Sequence, residues 1–257
     1  MHGTEAEPAV MTVGASHPTA AARGTGGRVR VEFHRQLDEL TTDLAAMCDL
    51  AGTGMGHATR ALLTSDLPAA EESVAIQREL RRGYAEVERR VLLLLARQAP
   101  VAGDLRTVVA AVQMAADAHR MGGLAAHVAH LARRLIAPHV RGSPIAPHVR
   151  GPSPAIPADL HDHFAEMGRI AVELTEAARD VILDDDMLRA SRLCADDEAM
   201  DELHRQLFER VMRNGCRYDA ATAADLVLLG RFYERFADHA VEIARKVIFR
   251  STGMLQV

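Results

Sequence analysis

Hydrophobic residues recur along most of this chain at the three- and four-residue intervals that are typical of amphipathic helices. Runs in which β-branched and aromatic residues alternate with polar ones, which would predict a sheet, are missing from the sequence. The pattern instead predicts an all-α fold with six long helices, at residues 31–65, 68–98, 103–136, 158–184, 187–214 and 219–251.

Polar and conformationally special residues mark where several of these helices begin or weaken. Asp66 and Pro68 form a typical helix start, and Asp219 is a candidate N-cap for the last helix. Within the first helix, three glycines each lower helix propensity by up to about 1 kcal/mol relative to Ala, so we expect a kink or loose turn there. These glycines are Gly52, Gly54 and Gly56.

Two stretches of the chain lack the helical pattern. Residues 1–28 are rich in Gly, Ala, Thr and Pro and are predicted to be a disordered tail. An alternative interpretation is that Val29 is the true initiating residue. The second stretch, 138–157, is rich in proline, and the segment that begins at Ile136 is repeated almost unchanged from Ile145. We interpret this stretch as an expanded linker.

The helices before the linker resemble those after it. When Arg120 is placed on Arg235, other positions of similar character coincide: Asp104 with Asp219, Met121 with Phe236, and Val128 with Ile243. The sequence therefore predicts two pseudo-symmetric three-helix bundles. We expect the first repeat at 29–137 and the second at 158–257.

Charge and composition exclude several classes of function. The net charge is -5 and the arginines are scattered among acidic residues. The sequence therefore has no basic stripe that could follow a phosphate backbone, and nucleic acid is not an expected partner. The longest apolar runs are far too short to cross a bilayer and no signal-peptide pattern opens the chain, so direct membrane insertion is not expected. Cys48, Cys194 and Cys216 have neither disulfide nor zinc-site spacing, which fits a reducing cytoplasm.

The last predicted helix separates apolar from acidic positions. Its apolar positions fall within about 40 degrees of one line and predict the core face, formed by Leu229, Phe232, Phe236, Ala240, Ile243 and Val247. The opposite side carries three carboxylates at successive four-residue spacing: Glu234, Asp238 and Glu242. We expect these acids to share one solvent-facing strip.

Two interpretations of this acidic strip remain open. Stacked like charges destabilise a helix by roughly 0.2 to 0.5 kcal/mol per pair unless cations answer them. In the first interpretation, nearby basic side chains neutralise the strip: Arg231, Arg235, Arg245 and Lys246. In the second, a divalent or ferric metal ion binds at Glu234 and Asp238. Weaker candidate ligands for it are Asp197, Asp201 and Glu242.

The corresponding face of the third helix carries histidines and a glycine in place of acids. Its polar positions are His119, Gly123, His127 and His130, with Asp117 nearby. Our main interpretation is that these histidines are exposed and bind nothing. The alternative is a second, softer metal site, for which Asp117 and His119 are weak candidates.

Three segments together resemble the PhoU family over residues 29–252. Gly230–Ala244 resembles its C-terminal signature, in which Glu234 and Asp238 fill the E-x-x-x-D motif, while Gln98–Arg106 and Ala116–Gly123 resemble the start and first motif of the third helix. The third helix departs from the pattern, since His119 and Gly123 replace the acidic pair.

The resemblance implies a cytoplasmic, non-enzymatic negative regulator of the phosphate-starvation response. Such a protein acts between the Pst phosphate ABC transporter, through its ATPase subunit, and a PhoR-type sensor histidine kinase, and it lies at the inner face of the membrane only through these partners. It also implies metal binding at the acidic motif and a homodimer. We expect the partner-binding surface to include Arg231, Arg235 and Glu242.

Two rival functions predict a similar fold. A di-iron carboxylate protein needs two Glu-x-x-His motifs and two further Glu in a four-helix core, whereas the nearest fragment here is Asp201-Glu-Leu-His204, which we interpret as polar surface. A purely structural helical scaffold would not depend on Glu234 or Asp238. The sequence shows neither a nucleophile elbow nor a glycine-rich phosphate loop, so we predict no catalytic residues.

Overall fold

A computed structural model describes residues 20–140, 156–195, 198–213 and 218–254, without the side chains of 20–29, 137–140 and 195. This part of the chain is helical and contains no strand, which confirms the all-α prediction. Its helices are α1 (Ala20–Thr64), α2 (Leu67–Gln98), α3 (Ala102–Val140), a 3-10 turn (Ala158–Leu160), α4 (His161–Asp184), α5 (Met187–Ala195), α6 (Glu198–Arg213) and α7 (Ala220–Thr252).

Both predicted helix caps are present. A carboxylate oxygen of Asp66 accepts a hydrogen bond from the backbone N–H of Ala69 at 3.0 Å, and Asp219 accepts one from Thr222 at 2.7 Å. These bonds satisfy N–H groups that a helix start would otherwise leave unpaired. At its other end α7 stops at Gly253, whose φ of 76° suits glycine and whose N–H donates to the carbonyl of Phe249.

The predicted start of the first helix was wrong. We expected it near residue 31 after a disordered tail, but α1 begins at Ala20. Once a helix has formed, each added residue gains a hydrogen bond without a new nucleation cost, and the first residues of α1 include three alanines and an arginine, which are good helix formers. Residues 1–19, the rest of that predicted tail, lie outside the described residues, as do 141–155 of the predicted linker.

The loose turn expected in α1 was also wrong, because the helix continues through its three glycines, and a kink there stays a prediction. A Cβ atom on Gly52 would lie 3.3 Å from Cβ of Thr175 on α4, and one on Gly54 would lie 3.2 Å from Cγ2 of Ile76 on α2. The missing side chains therefore permit close approach of two neighbouring helices. Tertiary packing of both faces of α1 offsets the weak local propensity.

The two triplets of helices share one core. In the place of the predicted fifth helix lie α5 and α6, and residues 196–197 between them are outside the described residues. Helix α1 packs against α4, and α3 packs against α7, so that the first and third helices of one triplet meet their counterparts in the other. This is the arrangement that a pseudo-twofold axis produces. The buried apolar residues form a single cluster that runs through both triplets.

A buried hydrogen bond joins the two triplets. The hydroxyl groups of Thr59 on α1 and Tyr233 on α7 are 2.8 Å apart. The Thr59 hydroxyl also lies 2.9 Å from the carbonyl of Met55, to which it donates, so the phenol of Tyr233 donates to Thr59. Burial raises the pKa of Tyr233, which keeps the phenol protonated.

Candidate functional site

Helix α7 is buried over much more of its circumference than the sequence predicts. The expected core face is confirmed, with Phe232 only partly covered and its other members buried. A second set of α7 side chains is buried as well: Tyr233, Ala237, Val241, Ala244 and Ile248. Since α3, α4, α5 and α6 all pack against it, α7 is the central helix of the second triplet.

The acidic strip on α7 is not solvent-facing, which corrects the prediction. Helix α6 lies close against α7 at Gly230, where an added Cβ would be 2.5 Å from Cδ2 of Leu207 and 3.1 Å from Cδ2 of His204. One turn further along α7, the Glu234 side chain is only 14% exposed. The side of α7 opposite the main core face is therefore covered by a helix that the periodicity of α7 alone does not reveal.

Glu234 lies between one cation and one imidazole. Arg231, one turn earlier on α7, donates to both of its carboxylate oxygens, and Nδ1 of His204 on α6 lies 3.7 Å from Oε2. The other ring nitrogen of His204, Nε2, is buried and finds no hydrogen-bond partner among the described residues. His204 is therefore part of the α6–α7 interface, and our interpretation of it as polar surface was wrong; Asp201 is exposed as expected.

Asp238 lies in an electrostatically unfavourable environment. Burial raises its pKa above the usual range for Asp, and the charges of Glu234 and Asp201 raise it further, while Arg231 opposes the shift. Asp238 is therefore repelled both by Glu234 on its own helix and by Asp201 on α6. We call these three residues the acidic cluster. The other weak candidate from this region, Asp197, lies outside the described residues.

Glu242 is neutralised locally instead. It accepts hydrogen bonds from Arg245 at 2.5 Å and from Lys246 at 3.1 Å. Burial disfavours its ionised form, but these two bonds and the positive charges of both cations together outweigh burial and lower the pKa of Glu242. The first interpretation, neutralisation by neighbouring cations, thus holds for Glu242 and for the Arg231–Glu234 pair. Within the described part of the chain, exposed Arg235 forms no such ion pair.

The donors of the acidic cluster are not arranged as a metal centre. In the described residues no group of three or more His, Cys, Asp or Glu side chains converges in a way that could hold a metal ion. Arg231 already occupies both oxygens of Glu234, and a bound ion would have to displace it. The residues as they stand do not fit a metal, and metal binding at Glu234 and Asp238 stays a prediction.

The equivalent face of α3 differs from the prediction at one histidine. The ring of His119 stacks on that of Tyr84 from α2, with centroids 5.4 Å apart and planes 8° from parallel. Burial, together with Arg81 and Arg120, lowers the pKa of His119. It is therefore half-buried rather than exposed, because α2 covers it. His127 and His130 are exposed, as predicted.

Asp117 has a structural role that sequence reasoning missed. It is only 5% exposed, and its Oδ1 atom lies 3.1 Å from Nδ1 of His239 on α7 and 3.3 Å from a guanidinium nitrogen of Arg120. The carboxylate thus links α3 to α7, and its weak candidacy as a metal ligand stays a prediction. No local signal marks this pair, because the two partners are 122 positions apart in the chain.

Comparison with protein families matches the PhoU domain to residues 44–132 and 164–247, one match in each triplet of helices. A Mycobacterium tuberculosis protein named phosphate-specific transport system accessory protein PhoU homolog 2 is 47% identical over 225 residues, which cover 88% of this chain and 99% of the relative. PhoU homolog 1 of the same species is 40% identical over 227 residues, covering 88% and 96% of the two chains.

Two solved structures have the same fold. The phosphate transport system regulatory protein PhoU from Streptococcus pneumoniae superimposes with a TM-score of 0.73 at 19% identity, covering 88% of this chain and 99% of the other. PhoU from Pseudomonas aeruginosa gives a TM-score of 0.73 at 23% identity, with coverage of 86% and 100%. At these identities the likeness shows a common helical architecture.

Proposed function

The chain belongs to the PhoU family, and from this premise we propose that it is a non-enzymatic accessory protein of phosphate transport. In this role it represses the phosphate-starvation response by coupling the Pst phosphate ABC transporter to a PhoR-type sensor kinase in the cytoplasm. The observation that carries the proposal is the near full-length similarity, at 47% identity, to a relative named as a phosphate-specific transport system accessory protein.

Two potentially reactive groups in the core support a non-enzymatic role. The thiol of Cys48 is buried, and burial raises its pKa to about 12, so it stays protonated and unreactive at neutral pH. The phenol of Tyr233 is likewise buried and hydrogen-bonded to Thr59. Both groups serve packing.

No described helix has the length and apolarity needed to cross a membrane.

The acidic cluster supplies a surface through which a partner can act. Asp238 is held next to Glu234 and Asp201 at an electrostatic disadvantage, and a partner cation that reaches it would relieve the repulsion. Arg231, half-exposed at 50%, Arg235 and Glu242 border this region on α7. A difference of roughly 1 to 3 kcal/mol between two states of the partner is enough for regulatory coupling. We propose this surface for the kinase or the transporter ATPase.

The cellular test is a phosphate-starvation reporter at high phosphate in a deletion strain. The strain is complemented with wild type, with Glu234→Ala plus Asp238→Ala, or with Glu202→Ala plus Glu209→Ala. The last variant removes two carboxylates of α6 that instead pair with Arg205. We expect wild type and this control to repress the reporter and the acidic-cluster variant to leave it at the level of the deletion strain.

Equal protein levels and unchanged helical circular dichroism are required of all three proteins. Repression by the acidic-cluster variant would show that the strip is ordinary helix surface, and lack of repression by wild type would contradict the regulatory role itself. Purified protein should also bind the kinase's cytoplasmic region or the transporter ATPase. We further propose a homodimer, which light scattering on the same preparation would measure.

A further inference from the structure

A groove between α3 and α7 has an apolar floor and a basic rim. It is lined by His127, His130, Leu131 and Arg134 from α3 and by Leu228 and Phe232 from α7, and it encloses about 370 Å³. We call it the α3–α7 groove. It differs from the acidic cluster, which faces α6.

The floor of the groove presents apolar surface to solvent. Leu228 is 43% exposed, and the ring of Phe232 lies 5.1 Å from that of His127, centroid to centroid, without being fully covered. Leu131 is buried below them. Adjacent exposed apolar groups inside a concavity are unlike the scattered single apolar residues of an ordinary surface.

The rim contains no carboxylate among the described residues that line the groove. From residue 118 to residue 140, α3 has no Asp or Glu but has three arginines and four histidines, in a protein whose net charge is -5. Burial first, and then Arg133 and His127, lowers the pKa of His130, so at neutral pH the arginines rather than this histidine carry the positive charge of the rim. Arg134 is the lining residue that already has an acidic partner, Asp225 of α7.

The basic rim continues past the groove. Seven residues are close to two helical turns, so Arg235 lies on the same side of α7 as Leu228. On α3, Gly123 lies one turn before His127, and an added Cβ there would meet no atom within 4 Å. A ligand that lies along the groove therefore finds open space beside Gly123 and a further cation at its end.

We propose that the α3–α7 groove docks an acidic, amphipathic segment of a partner protein. An apolar side chain of that segment would lie against Leu228 and Phe232, and carboxylates on either side would face Arg133 and Arg235. Charge complementarity argues for an acidic occupant. The chain's own segment 141–155 is unsuitable, because it contains two arginines and a histidine and no Asp or Glu. The inference deepens the proposed function, which requires a protein partner.

Two synthetic helical peptides test the proposal against the full chain. They share one face of Leu and Phe, and their polar positions are all Glu in one and all Lys in the other. Fluorescence anisotropy should show binding of the Glu peptide in the micromolar range and binding at least about tenfold weaker for the Lys peptide. Raising the salt concentration should weaken the Glu peptide's binding, since the rim is exposed.

Variants locate the binding site. His127→Glu plus His130→Glu, and separately Leu228→Asp, should each weaken binding of the Glu peptide by about tenfold or more. All three residues are exposed, so the variants should fold. The matched control is Leu92→Asp on α2, whose side chain is 64% exposed and does not line the groove; it should bind like wild type.

Equal binding of both peptides, binding of neither up to about millimolar concentration, or unchanged binding by the groove variants would each overturn the proposal. These results are separable from the proposed function. A wild-type protein that binds the Glu peptide in the groove but fails to repress the reporter would contradict the regulatory role alone. If instead the Leu228→Asp variant represses normally and the wild-type protein binds no acidic peptide, the groove proposal alone would be contradicted.

Discussion

The motif faces of α3 and α7 occupy equivalent places in the two triplets, yet they differ in charge and in cover. On α7, Glu234 and Asp238 lie beside α6, and Glu234 is 14% exposed. On α3, His119 and Gly123 replace them, and the space next to Gly123 is open. Their core-facing positions remain apolar in both helices. The comparison teaches that this fold constrains the core face of each repeat while its polar face can diverge, here from two carboxylates to a histidine and a glycine.

The largest expected effect concerns Asp117, the carboxylate closest in sequence to the motif on α3. Unlike the acidic cluster, it is an internal link, so Asp117→Ala should lower the free energy of unfolding by about 2 kcal/mol, because His239 and Arg120 lose their acceptor. Urea denaturation followed by circular dichroism would measure the loss. Exposed Asp201→Ala is the control and should change stability by less than about 0.5 kcal/mol. If Asp117→Ala and Asp201→Ala lowered the free energy of unfolding equally, Asp117 would have no structural role beyond that of an exposed acid.

Two adjacent glycines of α3 sharpen the comparison between its covered and open sides. A Cβ on Gly122 would lie 2.3 Å from Cδ1 of fully buried Leu80, so Gly122→Ala should destabilise the protein by about 1 kcal/mol after its gain in helix propensity. Gly123→Ala meets nothing and should stabilise it by about 0.5 to 1 kcal/mol. Thermal unfolding of both variants measures whether each one is less or more stable than wild type. A stability loss for Gly123→Ala would mean that its side of α3 is covered.

The smallest effect is the pH dependence of Asp238. Its raised pKa means that the folded protein binds this proton more tightly than the unfolded chain. Above the usual Asp range, the ionised group therefore lowers stability, and Asp238→Asn should be more stable than wild type at pH 7 by a few tenths of a kcal/mol. The difference should vanish well below pH of about 4, where Asp is protonated in both states. Urea denaturation midpoints of wild type and Asp238→Asn, measured at pH 7 and at the acidic pH, check this prediction. A variant no more stable than wild type at pH 7 would contradict the repulsion of Asp238 by Glu234 and Asp201.

Much of the fold was predictable because it depends on local information. The caps at Asp66 and Asp219 and the core face of α7 follow from residue type and helical period, and the structure confirms them. The start of α1 was missed because helix elongation beyond the periodic segment has no hydrophobic signature. The glycines of α1 were misjudged because their neighbours, Thr175 and Ile76, lie far away in the chain.

The candidate site was predictable in its residues but not in its environment. The spacing of Glu234 and Asp238 identified the acidic positions of α7, and the internal repeat showed that His119 and Gly123 stand in their place on α3. Nothing within α7 indicated that α6 would cover Glu234, and nothing within α3 indicated that Tyr84 would stack on His119. Burial of a polar side chain depends on which other helix approaches it.

The sequence by itself determined the all-α class, the internal duplication, the apolar faces and membership of the PhoU family, because periodicity, caps and motifs are properties of neighbouring residues. Only the tertiary structure decided that Asp117 joins His239, that α6 covers Glu234 and that an apolar groove with a basic rim opens between α3 and α7. These features arise where helices distant in the chain meet, and packing geometry sets their distances, exposure and pKa values.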